Sequence, residues 1–176
     1  MELPHYPYRF VQRFDEENGS LSFLRYKLLY TFKSTRSHQW YWVWVEAYDL
    51  DFYAIKFHLK AHRDSENKYR LLTGLNEARP VIYTCMAILN EIAESSPQSS
   101  FGFIGANLLE ESTFMTKRFR VYSSFMATYF TESVFEHYMM IDKSAYLLVR
   151  KQALKDNPDL LTTLSSKFNE MYEFFD

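Results

Sequence analysis

Over the first sixty residues apolar and polar side chains alternate with a period of two, and Tyr, Trp, Phe, Val and Leu dominate, which is the pattern of strands with one buried face. The alternation predicts four strands, at residues 8–14, 21–33, 39–48 and 52 to about 61. They are joined by Asp15-Glu16-Glu17-Asn18-Gly19-Ser20, by Ser34-Thr35-Arg36-Ser37 and by the tight connection Asp49-Leu50-Asp51. Short connections of this kind make an antiparallel meander. After a charged loop from His62 to about Tyr69 the period changes to three and four. Pro80 suits a first helical position, and Ile82, Cys85, Met86, Leu89, Ile92 and Ala93 then form one stripe of a helix that ends before Ser95-Ser96-Pro97.

Residues 101–104 read as a short buried strand, and Gly105-Ala106-Asn107 as the turn out of it. A second helix carries Met115, Phe119, Tyr122, Met126 and Tyr129 on one face. Residues 135–141 and 145–150 form a hairpin around Asp142-Lys143-Ser144. Asn157-Pro158-Asp159 opens a last helix with the stripe Leu160, Leu161, Leu164, Phe168, Met171 and Phe175. The order predicts one α+β domain over residues 1–176, a mostly antiparallel sheet with three helices packed on one face.

Composition narrows the class without naming a chemistry. The 176 residues are 47% hydrophobic and 24% charged with 4 Gly and 5 Pro, enough apolar surface for a core and too little Gly and Pro for a collagen-like or disordered chain. The net charge of −2 argues against a protein held to nucleic acid by bulk charge, though it leaves room for a local basic patch. A single cysteine, Cys85, forms no internal disulfide and, set in a helical stripe, reads as a buried inert thiol. No apolar run approaches the ~20 residues that span a bilayer, and the chain opens without a basic then apolar leader, so the expectation is a cytoplasmic protein with no membrane association. The outlying number is 19% aromatic residues.

Splitting each strand by face gives those rings a place. The fourth strand separates Tyr53, Ile55, Phe57 and Leu59 from Ala54, Lys56, His58 and Lys60. The second separates Leu24, Tyr26, Leu28, Tyr30 and Phe32 from Arg25, Lys27, Leu29, Thr31 and Lys33, and the third separates Tyr41, Val43, Val45 and Ala47 from Trp40, Trp42, Trp44 and Glu46. If the valine set faces the core, the opposite face is a row of Trp40, Trp42 and Trp44 flanked by Lys33, Lys56, His58 and Lys60. Bases stack on such rings at roughly 1–3 kcal/mol each while lysines hold phosphate, so the row suits a single nucleic-acid strand. The same rings suit burial under the last helix, under a second copy of the chain, or under another protein.

A second constellation is Gly105, Asn107, Lys117, Arg118, Arg120 and Tyr122, where a glycine turn after a strand leads into a basic helix and offers an anion site. The spacing fits neither a phosphate-binding loop nor a dinucleotide fingerprint, and Arg118 and Arg120 have Glu110, Glu111 and Glu136 as alternative partners. A strand ending in Gly, an acidic loop and then Thr116-Lys117-Arg118-Phe119-Arg120-Val121-Tyr122 resemble small bacterial α+β domains to which no activity is attached, over residues 80–151. The resemblance implies an α+β fold and adds weight to Arg118 and Tyr122.

Catalytic and metal signatures are missing. The histidines His5, His38, His58, His62 and His137 fit no paired-His or Cys/His ligand spacing, and a His58, His62, Asp64 and Glu66 cluster reads better as a solvated strand end. No nucleophile elbow or Ser/His/Asp set is visible, and the carboxylate pairs Asp49/Asp51 and Glu110/Glu111 fall in turns. The expectation is a non-enzymatic protein-interaction module without cofactor or metal, a homodimer or part of a complex. The alternatives are a single-stranded nucleic-acid binder on the tryptophan face and an anionic small-ligand binder at Gly105 and Arg118.

Overall fold

A computed structural model of the chain describes residues 4–16, 23–69, 74–104, 111–112 and 114–173. Strands β1 (Tyr8–Asp15), β2 (Leu24–Lys33), β3 (Trp40–Tyr48) and β4 (Phe52–Leu59) are the antiparallel meander that the alternation predicts. The β3–β4 turn places Leu50 and Asp51 at φ of 68° and 51°, the left-handed pair that matches the twist of a tight hairpin. Asn18 and Gly19 lie outside the described residues.

Helix α1 (Ala78–Ser95) carries the chain from β4 to β5 (Ser100–Ile104), which runs parallel to β4, a connection that requires a crossover element. Helix α2 (Lys117–Tyr129) leads to β6 (Phe135–Met140), and β7 (Ala145–Arg150) turns back between β5 and β6. The single open sheet has the order β1-β2-β3-β4-β5-β7-β6, α+β in class and antiparallel at every pairing except β4–β5. Met115, assigned above to the second helix, precedes it at φ 42° and donates its N–H to the Ile141 carbonyl at 3.1 Å; the helix begins where the Thr116 hydroxyl caps the Phe119 N–H.

The helices differ from expectation in number and in side. A short helix α3 (Lys151–Asp156) precedes α4 (Leu160–Glu173), and the two lie on the face opposite α1 and α2. One core sets Tyr41, Val43, Val45, Ile55, Phe101 and Leu148 against Ile82, Met86, Ile88 and Leu89 of α1 and Phe119 and Met126 of α2. The other sets Tyr48, Phe52, Leu147 and Val149 against Ala153 of α3 and Leu160, Leu164 and Phe168 of α4. Strand pairs share faces, so the side facing α4 is the side that carries the tryptophans. A helix is about 10 Å across whereas seven strands at ~4.8 Å spacing span nearly three times that, so α4 covers only part of this face.

Gly102 sits under the second core. A Cβ there would lie 2.5 Å from Phe52 Cζ and 3.1 Å from both Leu147 and Phe168, so the missing side chain is the space that lets Phe52 and Phe168 meet edge to face at 6.2 Å.

A candidate aromatic and basic binding face

Register fixes which side chains share the tryptophan side of the sheet at this end. Trp40 stands opposite Lys33; Trp42 lies between Thr31 and His58, with Arg9 beyond Thr31; Trp44 lies between Leu29 and Lys56. The valine set is fully buried on the other side, so the division of β3 into an aliphatic and a tryptophan face is as the alternation requires. Trp40 is 41% exposed and Trp42 and Trp44 are half-buried. Trp42 meets Trp44 edge to face at 6.2 Å, and Phe14 of β1 packs on Trp44 at 5.7 Å.

The basic residues expected beside the tryptophans have separate fates. Lys56 forms an ion pair with the buried carboxylate of Glu46, which also accepts from the Tyr48 hydroxyl, and its ammonium lies 5.0 Å from the centroid of Tyr69. His58 is buried. Its Nδ1–H donates to the Leu59 carbonyl at 2.8 Å, its Nε2 accepts from the Trp44 indole N–H at 3.3 Å, and Tyr69 packs on it edge to face at 5.2 Å. Burial pushes the His58 imidazole below its ordinary value, and Lys68, His62 and Lys56 push the same way against the opposing carbonyl bond. It is neutral at pH 7 and holds no anion. Lys60 has left the sheet for a single 3-10 turn, Lys60–His62, and is exposed. Only Lys33 stays with an open tryptophan, its ammonium 5.9 Å from the Trp40 ring centroid.

At this end of the row lies a cleft of about 430 Å³. It is lined by the buried residues Thr31, Phe32 and Ser34, by half-buried Tyr8, and by the exposed residues Pro7, Arg9, Lys33, Thr35, His38 and Trp40. Arg9 and His38 are the residues that sequence reasoning missed. Arg9 arrives through β1, whose register shifts between Phe10 and Gln12, and His38 is held at φ 61° in the β2–β3 turn. Carrying the same face-splitting into the first strand was the signal that finds Arg9.

Behind Ser34 is Glu77, 3% exposed at the start of α1. Its carboxylate accepts from the hydroxyls of Ser34 (2.5 Å), Tyr41 (2.7 Å), Ser37 (2.8 Å) and Tyr6 (3.4 Å). Burial raises its affinity for a proton, and the hydroxyls of Ser34, Tyr41, Ser37 and Tyr6 more than offset this, so Glu77 titrates below the ordinary glutamate value. This cluster ties the N-terminal segment, the β2–β3 turn and α1 together, and its negative charge sits favourably at a helix N-terminus.

In the second constellation, Lys117, Arg118 and Tyr122 make contacts within the chain. The backbone N–H of Lys117 donates to the Glu111 carboxylate at 2.9 Å, and the Arg118 guanidinium donates to the Tyr69 carbonyl. Tyr122 packs on Phe103 at 5.1 Å and Phe57 at 6.2 Å, with burial pushing its hydroxyl upward, while Arg120 is exposed. Gly105 and Asn107 lie outside the described residues. Among the described residues no three His, Cys, Asp or Glu side chains gather as a metal ion requires, and no helix is long and apolar enough to cross a membrane.

Fold and site together define a class: an α+β protein with an open seven-stranded sheet, helices on both faces, and a partly exposed stretch of tryptophan and basic side chains at one end. No family model, no curated protein and no solved structure matches the chain.

Proposed function

We propose that this protein is a non-enzymatic interaction module that joins a partner, in the first place a second copy of itself, by continuing its sheet at β6. The observation that carries this reading is the contrast between the two edges. Edge strand β1 has the features that blunt strand pairing: a register shift at Val11, Pro7 before it, and Arg9, Arg13 and Asp15 along it. Edge strand β6 has neither proline nor irregularity, and Glu136 is its one carboxylate. Tyr138 is 40% exposed and Met139 53%, and Phe114, Met115 and Ile141 beside them are exposed too.

An added strand gains main-chain hydrogen bonds along such an edge, and the exposed apolar side chains supply the area that makes the pairing specific. About a two-fold axis at Tyr138 the strands run antiparallel, the faces match, and Glu136 does not meet its own copy.

Light scattering coupled to size exclusion over a dilution series tests this. The protein should elute as a dimer in the micromolar range, and Met139→Lys should return it to monomer without changing its far-UV circular dichroism. A chain that is monomeric at every concentration, or a dimer that Met139→Lys leaves intact, refutes the reading.

A further inference from the structure

We infer that the cleft between β1, β2 and the β2–β3 turn is a binding site for a nucleotide unit, a planar base carrying a phosphate, with Trp40 as the stacking ring and Arg9 and Lys33 as the phosphate partners. The inference is independent of the β6 edge, which lies at the other end of the sheet.

Three features converge. The first is size: about 430 Å³ falls within the range of small-ligand pockets and accommodates one base, sugar and phosphate. The second is charge. Arg9 and Lys33 come from neighbouring strands and His38 also lines the cleft, while among the described residues no carboxylate lines it. Among the described residues neither Arg9 nor Lys33 is in an ion pair. The nearest buried acid, Glu77, lies behind Ser34 with its oxygens filled by hydroxyl donors. Two cations of which one is a guanidinium suit the double charge and paired oxygens of a phosphate better than a carboxylate, since the guanidinium fork meets two oxygens at once.

The third feature is the ring. Trp40 is the most exposed of the three tryptophans, it is held on a central strand, and it already attracts the Lys33 ammonium through its face. Thr31 donates its hydroxyl to the Tyr41 carbonyl at 2.9 Å and Ser34 accepts from the Arg36 and Ser37 N–H groups, so these buried hydroxyls are already satisfied. Recognition therefore rests on the exposed side chains: the Trp40 ring for stacking and, beside it, Lys33 and Arg9 for charge.

A free nucleotide and a nucleotide within a single strand present the same chemistry here, and the row continuing through Trp42 favours neither in advance. The experiment is titration calorimetry of the full chain with AMP, adenosine, inorganic phosphate and an octathymidylate, repeated with Trp40→Ala, Arg9→Gln and Lys33→Gln. AMP should bind saturably, adenosine and phosphate at least ~10-fold more weakly, and each variant should weaken AMP by about 10-fold or more. If the octathymidylate binds and AMP does not, with the same variants reducing the affinity and the affinity falling with salt, the site stands and its ligand is a strand. If neither binds in the millimolar range, if phosphate alone binds as well as AMP, or if binding ignores all three substitutions, the inference is overturned. The substituted side chains are exposed, and thermal melts matching the parent certify that each variant is folded; Lys33→Gln and Arg9→Gln decide the matter should Trp40→Ala not fold.

Discussion

Removing the Glu77 carboxylate should destabilise the protein in a way that depends on pH with a definite sign. The residue is 3% exposed and, among the described residues, forms no ion pair; what keeps it charged is hydroxyl donors, of which Ser34, Tyr41 and Tyr6 are themselves buried. A hydrogen bond to a charged acceptor contributes about 1.5–3 kcal/mol, and a buried hydroxyl that loses its acceptor costs about 1–3 kcal/mol. Glu77→Ala takes the acceptor from the buried hydroxyls of Ser34, Tyr41 and Tyr6 and from Ser37, opens a cavity, and ends the desolvation of a charge that had been unfavourable. The balance is a loss of about 2–5 kcal/mol, set by the stranded hydroxyls and the cavity less the relieved desolvation. Glu77→Gln keeps the volume and one acceptor oxygen but turns an amide toward the other donors, and should lose about 1–3 kcal/mol.

Linkage supplies the control. The folded-state titration of Glu77 lies below the unfolded value near 4.5, so the folded protein binds this proton less readily than the unfolded chain. The stability it contributes is fully present above that unfolded value and is lost as pH falls through the lower folded one. Guanidinium unfolding followed by circular dichroism should therefore show the parent-to-Glu77→Gln gap at its widest at pH 7 and narrower at pH 3. A Gln variant as stable as the parent at pH 7, or a gap that widens on acidification, refutes the account of Glu77 as a charged carboxylate held by hydroxyls.

Two further outcomes follow from the packing. Gly102→Ala should destabilise by about 1–3 kcal/mol, because the new methyl overlaps Phe52 and the two faces of the second core cannot both retreat; calorimetry should show a melting temperature several degrees lower, and an unchanged one contradicts the close approach. Cys85 is buried in the first core and burial pushes its thiol up, so Ellman's reagent should leave it unmodified in the native protein at pH 8 and titrate it fully in denaturant; rapid native labelling contradicts that placement.

Much of this architecture is written locally. Alternation over β1 to β4 follows from side chains pointing to opposite faces of a pleated strand, and it suffices to put Val43 and Val45 in one set and Trp40, Trp42 and Trp44 in the other. The α1 stripe and the hairpin of β6 and β7 are legible for the same reason, since a half-buried element repeats its pattern with its own geometric period. The short helix α3 was also within reach: Lys151-Gln152-Ala153-Leu154-Lys155 are all strong helix formers directly after β7.

What the sequence could not decide is which set meets what. Periodicity says that a face is apolar and is silent on which helix lies against it, so α4 falls on the tryptophan side only once β5 and β7 are inserted between β4 and β6 and extend that side beyond Tyr48 and Phe52. Residues spaced alike along one strand are then sorted by neighbours far away in the chain. Lys56 is taken by Glu46 and Tyr69, and His58 is buried beneath Tyr69. Lys33 stays beside Trp40 and gains Arg9 across β1. The charge of Glu77 is likewise a tertiary property, since its hydroxyl partners come from the N-terminal segment, the β2–β3 turn and β3, and only their convergence makes a buried carboxylate stable. Local periodicity sets the faces of each element, because side-chain direction is a property of the backbone; the tertiary fold sets the fate of each polar group on those faces, because charge and exposure depend on whatever distant segment arrives beside them.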